Sequence, residues 1–159
     1  MKKLGFTLIE IIIVFGIIAT LSGIIIISIS SRHRGASLDS TLNQVIADFQ
    51  SQQTKAMTGF TQEAVDSDSY GIYFQTNQYT LFKGASYTAG DPTNAVYANP
   101  VDLMFSDIYL PTPSVVFTRG SGEVAGYSPG ENSVTVRQET SAETKTFSFN
   151  RYGIIISVQ

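Results

Sequence analysis

A chain of 159 residues with 43% hydrophobic content has room for one modest domain plus one apolar segment, and not for two full domains. Its bases are unevenly placed: Lys2, Lys3, Arg32 and Arg34 flank an apolar run, whereas the region past Gly59 carries ten acids against five bases. That balance gives no electrostatic reason to bind nucleic acid, which demands a clustered basic face. With no cysteine and a lone His33, the chain offers no thiolate, no imidazole-rich zinc site and no familiar nucleophile and base pair, so it is read as a non-enzyme with no cofactor.

Residues 11–31 contain no charged side chain. As a helix rising about 1.5 Å per residue, that run matches the roughly 30 Å hydrocarbon core of a bilayer and predicts a membrane crossing. It exceeds the apolar region of a secretory signal peptide, which runs to about 7–15 residues. Glu10 sits inside the apolar stretch, where an ionised carboxylate costs at least about 2.5 kcal/mol unless a cation compensates it. Cleavage after Gly5 would create such a cation, the α-amine of Phe6, four residues before Glu10. In one helix the two groups lie about a turn apart, and the amine can equally reach the carboxylate of an adjacent subunit, where the pair would hold axial register. A tolerated, protonated or snorkelling Glu10 is the plainer alternative. Within the run, Gly16 to Thr20 and Ala19 to Gly23 are small-xxx-small spacings that allow close helix approach, and Gly16 and Gly23 are equally points where the helix could unwind.

The residues Gly5-Phe6-Thr7-Leu8-Ile9-Glu10, preceded by a short Lys-bearing leader, resemble the processing motif of type IV prepilins and type II secretion pseudopilins. The resemblance implies that residues 1–5 form a leader removed between Gly5 and Phe6, that Phe6 becomes the N-methylated terminus, and that Glu10 is the acid needed for filament assembly. It further implies cleavage on the cytoplasmic face, a single pass through the inner (cytoplasmic) membrane and a periplasmic or extracellular head. The implied partners are a prepilin peptidase, other pilin or pseudopilin subunits, an inner-membrane assembly platform and membrane lipid. The helix-ending stretch 49–59, the hairpin at 70–83 and the closing strand after Asn150-Arg151-Tyr152-Gly153 resemble minor pseudopilins. The run at 24–27 lacks the proline that many major pilins carry there, which points away from the principal filament subunit.

After Arg34, the apolar residues Leu38, Leu42, Val45, Ile46, Phe49, Ala56 and Met57 recur at helical spacing and predict a core-facing stripe, with Gly59 placed to stop the helix. Residues 70–74 and 78–82 flank Thr76-Asn77 and read as a β-hairpin. Further strands are expected at 114–118, 133–138, 144–149 and 154–158, with Pro92, Pro100, Pro111, Pro113 and Pro129 in the connections. Asp91, Asp102 and Asp107 lie in or near expected loops and supply oxygens that calcium could use, although their spacing matches no calcium loop. Gly120, Gly122, Gly126 and Gly130 read as turn residues rather than a phosphate cradle. Tyr79, Tyr87, Tyr97, Tyr109 and Tyr127 read mainly as sheet packing, with an adhesive surface as the alternative.

The expected fold class is therefore α+β: a long N-terminal α-helix, with a transmembrane half and an amphipathic half, packed on a meandering antiparallel β-sheet head as in pilins. The divisions are 1–5 leader, 6–31 transmembrane and filament-core helix, 32–59 amphipathic continuation and 60–159 β-rich head. The function expected is that of a structural subunit of a type IV pilus or type II secretion pseudopilus. The alternatives are a minor pilin whose head binds DNA, a surface or a secreted substrate, and a membrane-anchored extracytoplasmic enzyme.

Overall fold

A computed structural model describes residues 8–58 and 68–159, with side chains described at all of these except 21–36. The chain divides into two compact units, Met1–Ser37 and Leu38–Gln159. Helical backbone, α1, is bounded by Leu8–Thr58, and its described side chains fall in two stretches, 8–20 and 37–58.

The expected long N-terminal helix with a transmembrane half is corrected by these stretches. Both described stretches are short, and among the described residues no helix is long and apolar enough to cross a membrane. The stretch 37–58 is polar on one side, with Asp39, Gln44 and Asp48 along it. The single-pass inner-membrane placement expected from the sequence falls with that correction.

In the second unit, Leu38, Leu42, Val45, Phe49, Gln52 and Ala56 recur at steps of four and three residues, and none is more than 2% exposed. This is the 3.6-residue period of a helix with one buried face. Ile46 packs at the edge of the stripe. Met57, expected in the core, is exposed, because Ala56 takes the inward position and the next residue is turned about 100° away. Gly120 N–H donates to the Ala56 carbonyl at 2.9 Å, satisfying one of the carbonyls a helix end leaves open. Gly59, the expected stop, lies outside the described residues.

The strands are β1 (Tyr70–Gln75), β2 (Gln78–Lys83), β3 (Ala95–Ala98), β4 (Leu103–Tyr109), β5 (Ser114–Phe117), β6 (Ser133–Gln138), β7 (Thr144–Phe149) and β8 (Ile155–Val158). They form two four-stranded antiparallel sheets, ordered β3-β2-β1-β5 and β4-β6-β7-β8, where one meandering sheet was expected. The hairpin β1–β2 has the expected register, with Gln75 opposite Gln78 across Thr76-Asn77. The chain then leaves the first sheet for β4 and comes back to place β5 against β1, with Tyr73 opposite Ser114.

Both sheets and the helix stripe share one core. Phe49 stands at its centre: its ring centroid lies 4.8 Å from Phe117 of the first sheet and 5.0 Å from Phe149 of the second. On β1, a Cβ at Gly71 would collide with the Phe82 ring and the Val115 carbonyl, so only glycine fits there. The segment after β2 brings Tyr87 onto Tyr73, the rings parallel within 4° and 4.1 Å apart, and edge-on to Phe82 at 5.8 Å.

Candidate functional site

Of the three residues that the sequence marks for processing and assembly, Gly5 and Phe6 lie outside the described residues, as does the rest of the 1–5 leader. Glu10 is described, in the first turn of α1 and exposed. A carboxylate there is favourably placed, because the first-turn N–H groups carry the positive end of the helix dipole.

The surroundings of Glu10 are unusual for a surface. Leu8, Ile9, Ile11, Ile12, Ile13, Val14, Phe15, Ile17 and Ile18 are between 43 and 79% exposed. Only Glu10 and Gly16 interrupt these positions, so the apolar surface covers every side of the helix rather than one stripe. Thr20 turns its hydroxyl inward, donating to the Ile17 carbonyl at 2.9 Å, and so adds no outward polar group. A Cβ at Gly16 would meet nothing within 4 Å, which leaves a notch open for an approaching backbone. Helices that are apolar all round are buried helices.

The acids weighed for calcium are each engaged elsewhere. Asp91 Oδ1 accepts from the Thr93 amide at 2.8 Å and from its hydroxyl at 2.6 Å, and these bonds hold its carboxyl below the usual carboxylate range. Asp102 accepts from Gln138 Nε2 at 2.8 Å and from Thr140 N–H at 3.0 Å, joining β4's entry to the β6–β7 turn. Asp107, expected in a loop, is inside β4 and accepts from the Ser106 hydroxyl. Among the described residues no three His, Cys, Asp or Glu side chains cluster as metal ligands would.

The tyrosines divide. Tyr79 is buried, donates to Asp48 Oδ2 at 2.5 Å and stacks on Tyr97 at 5.2 Å. Burial first, and then the Asp48 bond, push its hydroxyl pKa well above the ordinary value. Tyr127 is half-buried against the core, whereas Tyr97 and Tyr109 are exposed. Gln53 was not singled out by the sequence, yet its Nε2 donates to the carbonyls of Gly122 at 3.0 Å and Tyr152 at 2.5 Å, tying two loops to the helix. Only a polar residue beside the stripe could have signalled it. Gly120, Gly122, Gly126 and Gly130 all have positive φ, as turn glycines do.

Comparison with protein-family models, with curated proteins and with solved structures finds no match.

Proposed function

We propose that the chain is a structural, non-catalytic subunit of a type IV pilus or type II secretion pseudopilus, cleaved between Gly5 and Phe6, N-methylated on Phe6 and assembled through its N-terminal helix. The observation that carries this reading is the stretch 8–20, apolar on every side, exposed, and bearing one carboxylate, Glu10. Packing that surface against the same helix of other subunits would remove it from water, and each Å² of apolar area so buried is worth about 25 cal/mol. Contacts of this head-to-tail kind do not close and so propagate as an open helix. The Phe6 amine and Glu10 of neighbouring subunits would set the axial step, because a shift along the axis strands both charges. The reading requires a prepilin peptidase and an inner-membrane assembly platform as partners.

A Glu10→Ala variant should be made and cleaved like the parent yet fail to enter filaments; ordinary incorporation of that variant would sink the register role. Mass spectrometry of filament subunits should find a chain beginning at methylated Phe6. Intact Met1 in filaments would overturn the processing claim.

A further inference from the structure

We propose that β3 pairs edge to edge, antiparallel, with β3 of a second copy of this chain, in a two-fold register that sets Tyr97 opposite Tyr97. β3 ends its sheet, and among the described residues only β2 is hydrogen-bonded to it. The other end of that sheet is closed, because Ala125 N–H donates to the Val116 carbonyl and Thr118 N–H to the Glu123 carbonyl, both at 2.8 Å. β3 faces β2 with the main-chain groups of its odd-numbered residues, a ladder that continues in the Asn99 N–H donating to the Asn77 carbonyl at 2.9 Å. In an antiparallel strand both main-chain groups of a residue face the same side, and the pattern repeats every second residue. The N–H and carbonyl groups of Val96 and Ala98 therefore face outward. Nothing guards this edge: all four residues are exposed, none is charged or proline, and the register with β2 has no bulge.

The edge is complementary to itself, which selects a second copy as the occupant. With Tyr97 on the two-fold axis, Val96 of each strand stands opposite Ala98 of the other, and every outward N–H and carbonyl of these residues finds a partner. The next pair along is Asn94 with Pro100. Asn94 N–H already donates to the Asp91 carbonyl at 3.1 Å and Pro100 has no N–H, so the ladder ends there without stranding a donor. Sliding the strands either way breaks this fit: with Val96 on the axis Ala98 meets the engaged Asn94, and with Ala98 on the axis Val96 meets Pro100. The Tyr97 ring already lies parallel to that of Tyr79, 5.2 Å away. Two Tyr97 rings facing each other across the axis form a non-hydrogen-bonded pair, the closer kind, and extend that stack to four tyrosines. The contact closes at two copies, so it is distinct from the open contact of the N-terminal helix and independent of the filament reading.

The test uses the purified full-length chain dispersed in a non-ionic surfactant. The protein has no cysteine, so a single introduced thiol reports the register. Facing residues of a non-hydrogen-bonded pair stand about 4.5 Å apart at Cα, within disulfide reach, so mild oxidation should link Tyr97→Cys into dimers. In Val96→Cys the two thiols are two residues out of line, and linking should be about tenfold slower. In the parent, the amides of Val96 and Ala98 should exchange more slowly as protein concentration rises, while those of Ala95 and Tyr97, already bonded to β2, should not change. Val96→Lys, at an exposed position, should keep the parent's melting curve and lose that concentration dependence, because an edge lysine blocks pairing. The proposal is overturned if Tyr97→Cys stays monomeric under oxidation, if Val96→Cys links as fast, if exchange at Val96 and Ala98 ignores concentration in the parent, or if Val96→Lys pairs like the parent.

Discussion

The hydroxyl of Tyr79 ties the first sheet to the helix through one side-chain bond. It joins β2 to the helix through Asp48, which also accepts from Gln44 Nε2 one turn earlier at 3.1 Å. Tyr79→Phe should cost about 1–2 kcal/mol in denaturant unfolding, the worth of a buried bond to a charged acceptor. The same residue gives a pH signature. Its folded-state pKa is raised above the ordinary 10.0 by burial and by Asp48, so above pH 10 the unfolded chain releases a proton that the folded chain keeps. Stability from this group is complete below pH 10 and declines as pH rises beyond it. The Tyr79→Phe variant should lack that part of the alkaline decline, and parallel curves for parent and variant from pH 9 to 11 would refute the assignment. A second helix-to-sheet tie, between Asp39 and Lys145 of β7, raises the lysine pKa chiefly through their hydrogen bond, but Asp39 is exposed and Lys145 only half-buried, so the tie adds little.

At the scale of elements, the helix stripe is the part of the head that sequence periodicity specifies best, and Phe49 is its keystone. Its ring is fully buried and lies against Phe117, Phe147 and Phe149, so Phe49→Ala should cost about 3–5 kcal/mol and lower the melting temperature steeply. Gly71→Ala should also destabilise, because the new methyl meets the Phe82 ring and the Val115 carbonyl, and only backbone movement relieves the second clash. The strands differ in legibility. β6 and β7 match the expected 133–138 and 144–149, while the expected 114–118 and 154–158 differ from β5 and β8 by one residue at one end. β3 and β4 were not expected. Ala95–Ala98 is exposed at all four residues and so shows no inward-outward alternation; it is a strand because its backbone pairs with β2. In β4 the register shifts between Phe105 and Ile108, a bulge that puts Ser106 and Asp107 where the alternation would have continued.

For the whole molecule, the two compact units make opposite demands. The second buries its apolar residues on its own, in a core that draws on the helix stripe and both sheets. The stretch 8–20 does not, and its exposed surface is the reason to expect self-association. Replacing both Ile12 and Phe15 by Lys should leave the melting of the head unchanged while shifting sedimentation from assemblies toward monomer. Assemblies that persist in this double variant would show that the helix surface is not the contact.

The sequence by itself determined the local features. They are the apolar run with Glu10 at its start, the 4-3-4 stripe from Leu38, the Thr76-Asn77 hairpin and the positions of most strands. Each of these follows from a period or a turn read within about a dozen residues. Of the candidate site, Glu10 and its apolar flanks were legible, and the open edge of β3 was not. Only the tertiary structure decided that eight strands split into two sheets, that Met57 yields the core to Ala56, and that Ala95–Ala98 ends a sheet. These outcomes depend on pairings between distant segments, such as β5 returning to β1, whose free energy comes from the shared core and not from the sequence around either strand.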